Sequence, residues 1–290
     1  MNYTKLLENK KCVITAGAHG MGFAMARLFV KHGGCVAVCG MSDSGIKSEE
    51  ILRKDSPDSF FFKCDMGNEN DVNAFADEIL KRFGAVDVLV NNVGINKRSL
   101  IKDIDMEDYE KVGCVNMRSA LVLTKRLIPS MIEKKGGSII NISSMNSITP
   151  TPTTGSYAIS KGGMNSFTKV LSVELGKYFI RANAICPGWV ATTQIRDMIG
   201  EDGGLEKAYE ELGTLDGSAP LLSPGMASDI ANHVLFLASD MSSFITGNIM
   251  YSDGAAIRQA RACDFQKPDN EYGERIKYYN SILKEIEEFC

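Results

Sequence analysis

The chain has 290 residues, of which 44% are hydrophobic and 23% charged, with a formal net charge of −4. This length supports a sizeable core in one large domain or two small ones, and the mild charge gives no electrostatic basis for a nucleic-acid or anionic-membrane partner. No apolar run approaches bilayer-spanning length, and the polar start from Met1 to Lys11 does not read as a secretory leader.

In chain order, residues 12–15 read as a first strand, followed by a glycine-rich turn. A helix is predicted over about 21–31, with Met25, Leu28 and Phe29 at helical spacing. Further strands are predicted over 35–39, 60–64, 86–91, 138–142, 181–186 and 248–252. A helix through Val72, Phe75, Ile79 and Phe83 precedes the fourth. The runs are short and apolar with little alternation, as in strands buried on both faces. Their alternation with helices implies βαβ units. The expected fold is α/β: a single Rossmann-type doubly wound parallel sheet of about seven strands, with helices on both faces. The expected catalytic domain covers residues 1–257. Beyond it, residues 258–290 form a charged extension with an amphipathic helix, capped by Asn270 and carrying Tyr272, Ile276, Tyr279, Leu283, Ile286 and Cys290 on one stripe.

Eight cysteines are scattered without a CxxC pair, and they read as free thiols in a reducing cytoplasm. The three histidines, His19, His32 and His233, show no ligand spacing, so no metal site is expected.

Chemistry enters at the turn Thr15-Ala16-Gly17-Ala18-His19-Gly20-Met21-Gly22. Glycines there let backbone approach a pyrophosphate, and the helix N-terminus that follows favours its charge. Asp65 closes the third strand and Asn91-Asn92-Val93-Gly94 the fourth, at the sheet edge where ligands bind in such folds. Ser144, Tyr157 and Lys161 then appear with the spacing Ser-x12-Tyr-x3-Lys. On a helix, Tyr157 and Lys161 share one face, and an ammonium beside a phenol lowers the phenol pKa toward the working range of a general acid/base.

With these residues in view, the sequence resembles the short-chain dehydrogenase/reductase family from about Lys11 to Ala256. Thr15, Gly20 and Gly22 match its glycine motif, with Ala16 in place of the first glycine. Asn91, Asn92 and Gly94 match the Asn-Asn-Ala-Gly segment, with Val93 in place of alanine. The resemblance implies four catalytic residues: Asn116, Ser144, Tyr157 and Lys161. Tyr157 would transfer the proton and Ser144 would orient the substrate oxygen. Lys161 would tune the phenol and hold the ribose, and Asn116 would serve a water relay. The implied cofactor contacts are Thr15, Gly17, His19, Gly20, Met21 and Gly22 in the turn; Gly40, Met41 and Ser42 after strand two; Asp65 and Met66; Asn92 and Gly94; Tyr157 and Lys161; and Pro187, Gly188, Val190 and Thr192. Enoyl-reducing relatives place the lysine farther from the tyrosine, and here that step reaches Met164, which disfavours alkene reduction.

The position that would carry an acid against a 2′-phosphate is Gly40, so the reading favours NADP(H), with NAD(H) as the alternative. Met145, Asn146, Thr154 and Trp189 are expected to line the substrate pocket, beneath a lid from Trp189 to about Pro220. The expected reaction interconverts a secondary alcohol and a ketone, on an alicyclic or hydroxysteroid-type substrate. A sugar or sugar acid is the alternative, with Lys97 and Arg98 as candidate anion contacts. A non-catalytic dinucleotide sensor or scaffold is the reading from another class. It has no need of Ser144, Tyr157 and Lys161 together. Sugar-nucleotide epimerases share Tyr-x3-Lys but usually carry a larger substrate domain. A homodimer or homotetramer is expected, with no membrane partner.

Overall fold

A computed structural model describes residues 5–192 and 225–258. Seven parallel strands form one sheet: β1 (Lys11–Ile14), β2 (Cys35–Gly40), β3 (Phe60–Lys63), β4 (Val88–Asn91), β5 (Gly137–Ile142), β6 (Ile180–Pro187) and, after two short strands, β9 (Ile249–Ser252). Their order is β3-β2-β1-β4-β5-β6-β9. The sheet therefore winds outward in both directions from the β1/β4 pair. That reversal leaves a crevice at the strand ends, where the turns after β1 and β4 diverge. The expected strands are all present, with bounds shifted by a residue or two. The short pair β7 (Val190–Ala191) and β8 (Gly225–Met226) lies outside the main sheet.

Helices cover both faces. Helix α1 (Gly20–Lys31) and α7 (Ala227–Ala238) pack on one, burying Met25, Phe29, Ile230 and Val234 against Cys12, Ile14, Val36 and Val38. On the other lie α3 (Glu69–Phe83), α5 (Ser119–Glu133) and α6 (Gly155–Leu175), with Phe75, Ile79, Leu123, Leu127 and Leu171 packed against Val13, Ala37, Leu89 and Ile139. Neighbouring residues of one strand thus bury on opposite faces, which explains the continuous apolar runs. Each fully buried large side chain contributes ~1.5–3 kcal/mol.

Helices α5 and α7 were not placed from the sequence, nor were α2 (Gly45–Arg53) and α4 (Met106–Gly113). The latter two are short and mostly polar, so they stand out little from the loops around them. Asp105 caps α4 by accepting from the Glu107 amide. Between α4 and α5 the helix widens into a π-turn at Cys114–Arg118, which carries Asn116. Such turns cluster at functional sites. The expected tail helix and most of the expected lid lie outside the described residues. Among the described residues, no helix is long and apolar enough to cross a membrane and no cluster of metal-ligating side chains occurs.

Candidate active site

The turn after β1 is built by close approach. A Cβ on Gly22 would stand 2.1 Å from the Ala16 carbonyl oxygen, and one on Gly17 would stand 2.6 Å from Val38 Cγ1. Gly20 has φ +51° and open space above it. Ala16 takes φ 50° despite its methyl group, so the substitution for glycine leaves this residue in the left-handed region. Thr15 Oγ1 accepts from the amides of Asn92 at 2.9 Å and Val93 at 3.0 Å, tying the turn to the end of β4. Asn92 Nδ2 donates to the Thr15 carbonyl at 3.0 Å, and its buried Oδ1 has no partner. Asn91 faces the core instead, donating to Asn141 at 2.8 Å.

These features fit a dinucleotide. The first turn of α1 carries no acidic residue, and His19 at its N-cap makes no side-chain capping bond. The amides there are left to an anion, favoured further by the helix dipole. At the end of β2, Met41 and Ser42 are exposed and Gly40 half-buried. Ser44, absent from the sequence-based expectation, links this end to the turn. Its Oγ lies 2.8 Å from His19 Nε2 and donates to Ser42 Oγ at 2.8 Å. No motif marks Ser44; only the fold brings it to His19. Asp43 pairs with Lys63 at 2.7 Å.

The other expected contacts line the same edge. Asp65 is exposed and borders a cleft of about 360 Å³ lined also by Gly67, Asn68, Glu107, Glu110, Lys111, Cys114 and Val115. The Met66 side chain is buried, and its sulfur accepts from the Cys39 and Cys64 thiols at 3.6 Å each. Pro187 ends β6, and Gly188 packs so tightly on Asp253 that a Cβ would meet its Cα at 2.8 Å. Val190 is buried; Met21 and Thr192 are half-buried.

Helix α6 presents Tyr157 and Lys161 to this crevice. Lys161 is 2% exposed and donates from Nζ to the Ile142 carbonyl at 2.7 Å. Burial lowers its pKa to about 8. Nζ stands 5.6 Å from the Tyr157 ring centroid, and a Cβ on Gly94 would meet Nζ at 3.1 Å. The lysine was expected to lower the phenol pKa. Instead burial raises it, and a hydrogen bond from Ser144 only partly offsets that rise. Desolvation of the anionic phenolate is the largest cause, and the nearby Cys186 thiol adds to the rise.

Ser144 follows β5 and is buried, with Oγ accepting from the Asn146 amide at 3.2 Å. Asn116 is fully buried. Its Oδ1 accepts from the Ile95 amide at 2.8 Å, and its Nδ2 donates to the Ile95 carbonyl and to Ser160 Oγ, each at 3.0 Å. One lone pair of Oδ1 is left for a water. Met145, Asn146 and Trp189 are half-buried beside Ser144 and the end of β6. Thr154 is buried, with its hydroxyl donated to Thr151 at 2.7 Å, so it props the wall from behind rather than lining it.

Fold and crevice together define the class: a doubly wound α/β protein whose strand ends fit a dinucleotide. A family profile described as "Enoyl-(Acyl carrier protein) reductase" matches residues 15–255. The chain is 34% identical over 251 residues to the 3-oxoacyl-[acyl-carrier-protein] reductase FabG of Chlamydia muridarum, covering 86% of this chain and 98% of that protein. It is 35% identical over 254 residues to the 3alpha-hydroxysteroid dehydrogenase of Mediterraneibacter gnavus, covering 87% and 98%. It is 31% identical over 270 residues to the 2-dehydro-3-deoxy-D-gluconate 5-dehydrogenase of Formosa agariphila, covering 91% and 97%. The chain belongs to the short-chain dehydrogenase/reductase family.

Proposed function

We propose that this enzyme reduces a ketone to a secondary alcohol and runs the reverse reaction at alkaline pH, with Tyr157 as acid/base. The observation that carries this reading is the half-buried Tyr157 beside the buried Ser144 and Lys161, with Lys161 Nζ next to Gly94 at the end of β4. Tyr157 gives its proton to the substrate oxygen, which Ser144 orients. Lys161 secures the nicotinamide ribose, and Asn116 keeps the Ile95 segment in place beside a relay water. The bound cofactor supplies or accepts the hydride. The phenol is protonated at neutral pH, and burial pushes its titration further upward, so a proton is available for donation. Met164, where alkene-reducing relatives would place the lysine, is 1% exposed in the core, which supports carbonyl over alkene chemistry.

We assign NADP(H) as the preferred cofactor, with NAD(H) as the alternative. Gly40 offers no carboxylate to repel a 2′-phosphate. His19, Ser42 and Ser44 supply donors beside it, and Asp43 is engaged by Lys63.

For substrate we favour an apolar alicyclic or hydroxysteroid-type ketone. Leu100, Ile101 and Ile148 are exposed at 48%, 70% and 55% on the segments that carry Met145–Thr154 and its neighbour strand bridge. A sugar acid is the second reading, suggested by the Formosa agariphila relative. Against it, Lys97 is paired with Asp108 at 3.2 Å. A turnover screen of steroid, cyclic and sugar-acid substrates with both cofactors tests all of this. No NAD(P)H oxidation with any ketone would overturn the enzymatic reading in favour of a sensor.

We also propose a cytoplasmic homodimer or homotetramer. Five buried free thiols and one half-buried thiol among the described residues suit a reducing compartment. Val170 and Val173 on α6, and Phe179 after it, are exposed apolar side chains available to a second subunit. Light scattering tests the assembly.

A further inference from the structure

Tyr157, Lys161 and Asn165 recur at four-residue steps on α6 and so share one face of the helix. The first two have assigned roles. Asn165 is 8% exposed, although the proton transfer proposed above makes no use of it.

Its contacts lead to Ser144. Asn165 Nδ2 donates to Ser147 Oγ at 2.8 Å. Ser147 Oγ donates in turn to the Ser144 main-chain carbonyl at 2.6 Å. A third group closes the cluster from β6. The Cys186 thiol lies 3.7 Å from Ser147 Oγ and 3.8 Å from Asn165 Oδ1. Cys186 is fully buried and Asn165 nearly so, which limits competition from water within this ring.

We propose that Asn165 and Ser147 are positioning residues that brace Ser144 against the Tyr157 phenol. The proposal rests on the reading of Ser144 and Tyr157 given above. Ser144 stands in extended conformation at the N-cap of a single 3₁₀ turn, Met145–Ser147. Such a short turn has little stability of its own. Fastening the Ser144 carbonyl to mid-α6 fixes its Cα, and hence its hydroxyl, relative to a tyrosine on the same helix. The orientation of the serine is then set by the helix that carries the acid/base.

The test reads the titration of Tyr157 directly in the full chain labelled with ¹³Cζ-tyrosine, the resonance being assigned by its loss in Tyr157→Phe. The titratable groups facing the phenol, Lys161 from α6 and Cys186 from β6, are retained in every variant. Ser144→Ala sets the scale, raising the Tyr157 pKa by about 0.5–1 unit, the worth of one hydrogen bond. Ser147→Ala is expected to give most of that rise, and Ser147→Thr to restore the original value. Ser147→Ala added to Ser144→Ala is expected to change nothing further. Asn165→Ala, which leaves the Ser147 hydroxyl in place, is expected to give a smaller rise in the same direction and decides the matter if Ser147→Ala does not fold. A lower melting temperature with an unmoved Tyr157 titration in these variants would show a merely structural role and overturn the proposal. If Ser144→Ala itself leaves Tyr157 unmoved, the underlying assignment of Ser144 fails instead.

Discussion

The two sides of the crevice work by different physics. The β1–α1 turn and the end of β2 act through backbone shape and exposed polar groups: Gly17, Gly20 and Gly22, with His19, Ser42 and Ser44 alongside. The proposed β5–α6 side would act through side chains largely withdrawn from water, whose proton affinities desolvation shifts, Tyr157 upward and Lys161 downward. Each side holds one strained non-glycine residue, Ala16 at φ 50° and Thr153 at φ 70°. The lesson is that an ionic ligand is received by geometry near solvent, whereas proton transfer is prepared by removing solvent.

The largest expected effect falls on the buried side. Tyr157→Phe removes the proton donor and little else, so turnover is expected to drop ~10²–10⁴-fold with cofactor binding intact. Steady-state rates beside a fluorescence titration with NADPH check it; near wild-type kcat would sink the assignment.

On the exposed side, Gly22→Ala drives a methyl group into the Ala16 carbonyl, which cannot move far because the turn is tied to β4. Dinucleotide affinity is expected to collapse while the Tyr157 titration stays put. If NADPH still binds normally, the turn is not the phosphate site.

Lys161→Met separates function from stability. Burial holds the lysine near pKa 8 against an ordinary 10.5, so below about pH 8 its charge costs the fold ~3 kcal/mol. As pH rises from about 8 to 10.5, the folded form has already lost its proton and the unfolded form has not, so that cost fades. The variant is expected to be inactive yet to melt higher than wild type at pH 7, with the gap closing above about pH 10. Melting curves across this range decide it; an equal gap at every pH would refute the burial argument.

Gly40→Asp tests the exposed side more gently. A Cβ there meets Ala18 Cβ at 3.4 Å and Phe61 Cε2 at 3.6 Å, ordinary contacts. The carboxylate is expected to shift preference toward NAD(H) by roughly tenfold or more. Paired kcat/KM values with the two cofactors measure it, and a wild type already selective for NAD(H) would contradict the reading of the β2 end.

The smallest effects compare the two strained residues. Ala16→Gly and Thr153→Gly each relieve a left-handed residue, worth about 1 kcal/mol before the entropy cost of glycine. Only Ala16→Gly is expected to tighten NADPH binding as well. Thermal melts with and without NADPH distinguish them.

The sequence by itself determined the sheet, since short apolar runs between helical patterns have few other ways to bury both faces. It also determined the glycine turn and the Tyr157–Lys161 pair, because their spacing follows directly from the turn and helix geometry they require. It could not weigh burial against charge, so it expected Lys161 to lower the Tyr157 pKa where desolvation raises it. Nor could it show that packing turns the Met66 sulfur toward Cys39 and Cys64. Ser44, Ser147 and Asn165 carry no motif, and their partners His19, Ser144 and Cys186 lie on other elements or on a turn whose form a linear pattern does not reveal. Hydrogen bonds among such groups depend on distances set only when β2 meets α1 and when β5, α6 and β6 close together. Periodicity records which face a residue occupies. Which neighbours it meets on that face, and how much water is left there, was decided by the tertiary structure alone.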